Sequence, residues 1–107
     1  MGITKSELFT QEQNEIAEML KALAHPARIS ILQHLARTNA CICGDLVEVL
    51  GLAQATISQH LKELKNVGLI QGNIEGTSVC YCIEPKKWKE VKTMLLSFFR
   101  DVQSGCC

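Results

Sequence analysis

A mainly α-helical fold with one small β-hairpin is what this 107-residue sequence predicts, and three observations carry that reading. Hydrophobic residues make up 47% of the chain but aromatic ones only 5%, so the core must be largely aliphatic, which suits small helices better than a sandwich. In residues 54–65, Ile57, Leu61 and Leu64 recur at steps of four and three, the spacing of one buried helical stripe. Beyond Gly68 the period changes to two, with Val79, Tyr81 and Ile83 alternating with Ser78, Cys80 and Cys82.

The elements follow in order along a chain whose length predicts one domain, residues 1–107, with flexible termini. A first helix over 10–24 puts Ile16, Met19, Leu20 and Leu23 on one face and Glu12, Glu15, Glu18 and Lys21 outside, and its acidic start suits a helix N-terminus. Pro26 cannot continue that helix but fits the first position of the next, which runs to about residue 37 with Ile29, Leu32, Leu35 and Ala36 as its buried face. His25 and Arg28 read as helix-start and packing residues. Thr38 and Asn39 close this second helix. A short helix over 44–50 stops at Gly51, and only Leu52 and Ala53 separate it from the helix beginning at Gln54. So short a turn between two helices makes a helix-turn-helix.

On that following helix Gln54, Thr56, Ser58, Gln59, Lys62 and Lys65 lie off the apolar stripe. This outward set suits DNA: glutamine bonds adenine bidentately, hydroxyls reach bases or phosphates, and lysine meets the backbone charge. Gly68 sits where a left-handed helix end favours glycine. Strands over 69–74 and 77–83 then flank Glu75-Gly76 as a half-buried hairpin, the wing of a winged helix-turn-helix. A last helix starts near Pro85 and carries Trp88, Val91, Leu95, Phe98 and Val102 at steps of three and four, widened by Met94 and Phe99. So broad an apolar face needs a partner, and the expected one is the same helix, together with the first helix, of a second copy, giving a homodimer.

Formal net charge is zero, which argues against a protein held to nucleic acid by bulk charge alone. The distribution is uneven: residues 1–50 carry four Lys/Arg against six Asp/Glu, and residues 51–107 carry seven against five, so the reading half is the positive one. No apolar run is long enough to span a bilayer and no secretion signal is present, so a soluble, cytoplasmic protein is expected. In that compartment the six cysteines are expected as thiols, open to metal or redox chemistry. Residues 1–6 and the terminal Cys106-Cys107 fit short lipidation patterns that arise easily by chance. Nothing suggests an enzyme: there is no nucleophile paired with a base, no phosphate-cradling glycine loop and no acid pair.

The segments Leu20-Lys21-Ala22-Leu23-Ala24-His25-Pro26-Ala27-Arg28 and Ser58-Gln59-His60-Leu61-Lys62-Glu63-Leu64, with the Gly68-Leu69-Ile70 exit and the Glu75-Gly76 turn, resemble the ArsR/SmtB family of bacterial metal-sensing winged-helix repressors. The motifs cover residues 16–83, and the final helix agrees by position only. The resemblance implies a homodimer on a palindromic double-stranded DNA operator, with two reading helices in successive major grooves and release on binding an inducer. It places Gln54, Thr56, Ser58, Gln59 and His60 on DNA. For His60 two readings stay open, because on the helical wheel it lies beside Ile57 and Leu64: a base reader, or a partly buried ring bonded to backbone.

Cys41-Ile42-Cys43, just before the short helix, resembles the paired thiols of arsenic- and cadmium-responsive members, although Gly44 adds a residue to the family pattern. Two thiolates this close can grip one soft ion, with Ile42 anchored in the core, and a pull on them acts on the helix that supports the reading helix. Trivalent arsenic or antimony takes three thiolates, and the expected third is Cys106 or Cys107 on the tail beyond the last helix. Cys80 and Cys82 share one face of a strand, where they form a second thiol site or merely fill positions for small apolar residues. Members that bind metal on the last helix use Asp and His there, and no His lies between residues 85 and 102. The expected function is therefore a repressor released by As(III) or Sb(III). Alternatives are Cd, Pb or Zn as the ion, a cysteine redox or persulfide switch, and, from another class, a thiol-rich metal carrier that never reads DNA. No organic cofactor and no membrane partner are expected.

Overall fold

The computed structural model describes residues 8–38, 41–43, 46, 50–73 and 80–103. Within them run helices α1 (Gln11–Leu23) and α2 (Pro26–Thr38), strand β1 (Ile42–Cys43), helix α3 (Gln54–Asn66), strands β2 (Ile70–Asn73) and β3 (Cys80–Ile83), and helix α4 (Pro85–Gln103). The short helix over 44–50, apart from Leu46 and Leu50, the Glu75-Gly76 turn and the terminal cysteines lie outside the described residues.

Local chemistry sets each boundary. Thr10 caps α1 reciprocally: Gln13 N–H donates to Thr10 Oγ1 at 3.0 Å and Thr10 N–H donates to the Gln13 side chain at 3.0 Å. His25 starts α2, since its Nδ1 accepts the Ala27 N–H at 3.0 Å and its carbonyl accepts the Ile29 N–H. Leu50 N–H bonds the Leu46 carbonyl at 2.8 Å, one α-type link just before Gly51, whose φ of 70° breaks the chain direction ahead of α3. At the far end of α3, Gly68 N–H reaches Lys65 O and Leu69 N–H reaches Leu64 O, with Gly68 at φ 83°. This pair of bonds is a Schellman closure, sealed by buried Leu64 and Leu69.

The sheet is antiparallel in the order β1-β3-β2. The β2–β3 hairpin matches the expected wing, with Ile70 opposite Ile83 and Gly72 opposite Tyr81. β1 is an addition the sequence reading lacked: Ile42 faces Tyr81 and Cys43 faces Cys80. The core gathers Met19, Ile31, Leu32, Leu35, Leu46, Ile57, Leu61, Leu64, Leu69, Ile70, Tyr81 and Val91, with one aromatic ring among aliphatic side chains.

Two helical faces differ from expectation. On α2, Ile31 rather than Ile29 is buried, and Ala36 lies outside. Apolar residues surround much of that helix, so its own period does not choose a face and packing against α3 and β3 does. On α1, Leu20 is turned outward while Ala22 is buried. The start of α4 is pinned to the end of α3: Trp88 Nε1 and Glu84 N–H both donate to the Leu69 carbonyl, at 3.0 and 3.1 Å.

Candidate DNA-reading face and thiol cluster

α3 is held by Ile57, Leu61 and Leu64 in the core, and this leaves Gln54, Thr56, Gln59, Lys62 and Lys65 exposed and Ser58 half-exposed. The polar face bonds along itself. Gln54 Nε2 donates to Ser58 Oγ at 3.4 Å, and Gln59 Nε2 to Glu63 Oε1 at 3.2 Å. Exposed, single-turn bonds of this kind contribute little net stability, so they hold these side chains only weakly.

Of the two readings open for His60, its burial matches the partly buried ring, with a side-chain partner rather than backbone. It is buried, at 8% exposure, and its Nδ1 accepts the Arg28 Nε hydrogen at 3.1 Å. Arg28 Nη1 also donates to the Ala22 carbonyl, and the His25 ring lies 4.3 Å from that of His60, so three side chains tie α1, α2 and α3 together. An acceptor at Nδ1 requires a neutral ring with its hydrogen on Nε2. Burial pulls the His60 imidazole below its ordinary 6.5, and the neighbouring His25 and Arg28 charges pull it the same way. A ring held in this way packs the three helices against one another.

The cysteines meet where β1 joins the wing. Because Ile42 and Tyr81 turn to the core, Cys41, Cys43, Cys80 and Cys82 share the opposite face of the sheet. Cys41–Cys82 and Cys43–Cys80 are disulfide-bonded, with Cα separations of 4.3 and 4.0 Å, close to the spacing of directly opposed antiparallel residues. The two pairs therefore form one cluster. Sequence reasoning had separated them, since a two-residue strand leaves no periodic signal. The available signal was the shared Cys-x-Cys spacing at 41–43 and 80–82. Cys41 and Cys43 are exposed, Cys80 and Cys82 half-buried. With the sulfurs bonded pairwise, no group of three free metal ligands exists among the described residues.

Residues 25–71 match the family model described as bacterial regulatory protein, arsR family. Over 101 residues the chain is 30% identical to the cadmium resistance transcriptional regulatory protein CadC homolog of Staphylococcus aureus, covering 94% of this chain and 83% of that one. The chain belongs to the arsR family. Among Mycobacterium tuberculosis members it is 37% identical to the HTH-type transcriptional regulator NmtR over 71% of its own length, and 42% identical to the HTH-type transcriptional repressor SmtB over 60%. It spans 62% of NmtR and 47% of SmtB, less than two thirds of either. The fold is shared with the ArsR family transcriptional regulator RHA00566, at a TM-score of 0.71 and 21% identity over 92% of this chain and 100% of that one. Rv0081 of M. tuberculosis superimposes with a TM-score of 0.62 and 28% identity, over 89% of this chain and 96% of that one. This arsR-family chain thus presents a winged helix-turn-helix with a cysteine cluster where the wing meets the strand preceding it.

Proposed function

We propose that this chain is a transcriptional repressor that binds a palindromic operator as a homodimer and leaves it when a thiophilic metal or metalloid is captured at Cys41 and Cys43. The observation that carries the reading is the polar face of α3, Gln54, Thr56, Ser58, Gln59, Lys62 and Lys65, standing next to a wing whose strand β3 is joined to the cysteines of β1. α3 reads bases, Lys62 and Lys65 meet phosphates, and the wing settles on the flanking backbone. His60 supports α3 from beneath. β1 leads into the helix-turn-helix while β3 belongs to the wing, so a change at the sulfurs bears on both DNA-contacting parts at once.

Arsenite or antimonite is the first inducer to test, with cadmium, lead and zinc beside it, and the cadmium-resistance name of the S. aureus relative supports including cadmium. A redox reading is favoured by a separate observation, the disulfides Cys41–Cys82 and Cys43–Cys80. In that reading each pair of thiols gives up two electrons and two protons to a disulfide or peroxide oxidant. A metal carrier has less support, because it leaves the reading face without a use.

The test is displacement of an operator fragment, followed by fluorescence anisotropy. Release by arsenite or cadmium under excess reductant, lost in Cys41→Ser and in Cys43→Ser, is the expected result. Release only by oxidant favours the redox reading. Absence of sequence-specific DNA binding by the reduced dimer overturns both.

A further inference from the structure

We infer that the reduced chain holds one soft divalent cation of the cadmium class in a single centre of four thiolates, Cys41, Cys43, Cys80 and Cys82. This rests on the repressor reading above and deepens it, since it moves half of the effector site onto the wing. The cross-strand Cα separations are 4.3 and 4.0 Å, and residues two apart on a strand are about 6.8 Å apart. The four Cα atoms thus outline a rectangle whose centre lies about 4 Å from each corner. All four side chains leave the same face of the sheet, because Ile42 and Tyr81 occupy the other. With metal–sulfur bonds of about 2.3 Å, as for zinc, an ion above that centre is within reach of all four sulfurs. Cys41 and Cys82 also border an apolar cavity of about 850 Å³ lined in part by Leu32, Ile83 and Trp88.

The disulfide form and the loaded form exclude one another. Breaking both disulfides takes two electrons and two protons each from a dithiol reductant, which leaves as its own disulfide. Four thiols result. Loading displaces one proton from each, and the four thiolates with one divalent ion leave a centre of net charge minus two. Trivalent arsenic would engage three of the four sulfurs and leave one thiol over. A soft divalent ion uses them all, and that difference fixes the assignment of ion class.

The test uses the full chain, reduced and freed of metal, titrated with cadmium and with arsenite in the absence of DNA. Cadmium is expected to bind one per chain, with the thiolate-to-metal absorption band saturating at that ratio and X-ray absorption showing four sulfur neighbours. Of the six cysteines, only Cys106 and Cys107 should then react with a thiol reagent. The double variant Cys106→Ser/Cys107→Ser should keep this signature. Cys80→Ser/Cys82→Ser should lose the four-sulfur coordination while its circular dichroism and its cooperative thermal unfolding show that the fold is intact. An unchanged cadmium signature in the wing double variant, or its loss in the tail double variant, overturns the four-thiol centre. Neither result touches the repressor reading, which stands or falls on operator binding and release. Four-sulfur binding without release would overturn the effector role alone.

Discussion

Arg28 Nε and His60 Nδ1, 3.1 Å apart, illustrate how one side-chain pair can fix the position of a helix. The wheel placed His60 beside Ile57 and Leu64, which was enough to raise a buried role, but not to name Arg28 and His25, the latter 35 positions away, as its neighbours. Only packing supplies such partners. The consequence is a pH dependence of stability. His60 is depressed in the folded state, so its contribution is present above its ordinary 6.5 and is lost as pH falls below that value through the folded one. Urea unfolding should therefore show stability falling from neutral pH to about pH 5, and the fall should be shallower in His60→Gln. An equal slope in the variant would assign the effect to other groups.

α3 and its exit show the same contrast one level up. The stripe Ile57, Leu61 and Leu64 and the closing Gly68 could be read directly, because helical period and a left-handed C-terminus are local properties. At Gly68 an added Cβ meets only the flexible Lys87 side chain, at 3.5 Å, so Gly68→Ala should cost about 1 kcal/mol, from the positive φ alone. Gly72→Ala should cost clearly more, since its φ is 122° and the Cβ would strike the Cys80 carbonyl oxygen and come within 2.9 Å of Tyr81 Cα. Denaturant midpoints of the two variants check the order, and the second should also disturb the wing. On the reading face, Gln59→Ala is expected to lose about 1–3 kcal/mol of operator affinity and to relax specificity. Lys65→Ala should instead weaken binding to all sequences alike and reduce the salt slope by about one. Gel-shift titrations at several salt concentrations separate these outcomes. β1 lay beyond such reading, because a strand of two residues has no period and exists only through its partner β3.

At the scale of the molecule, α4 leaves an apolar surface uncovered. Val91 is buried, but Leu96, Phe99 and Val102 remain 47%, 54% and 66% exposed, and Leu20 of α1 is exposed as well. Solvent-exposed apolar groups so grouped are expected to be covered in the functional state, and a second copy of the same face is the proposed cover. Phe99→Glu should shift sedimentation from dimer to monomer at micromolar concentration, leave the helix content unchanged, and abolish binding to a two-half-site operator more than to a single half-site. A wild-type chain sedimenting as a monomer would refute the pairing. If capture at the sulfurs weakens operator binding, linkage requires the operator to weaken ion affinity by the same factor, which a titration of the DNA-bound dimer can check.

The amino-acid order alone determined the helices with strong period, the closure at Gly68 and the polar face of α3, since each depends on neighbours within a few positions, and the alternation of β3 and its spacing from β2 pointed to the wing. The family resemblance was equally legible, carried by short contiguous segments. Tertiary structure decided which side of α2 is buried, that His60 turns inward, and that Cys41 and Cys43 meet Cys80 and Cys82. The last two outcomes depend on contacts between residues 32 to 41 positions apart, and the side chains themselves carry no record of such distant partners.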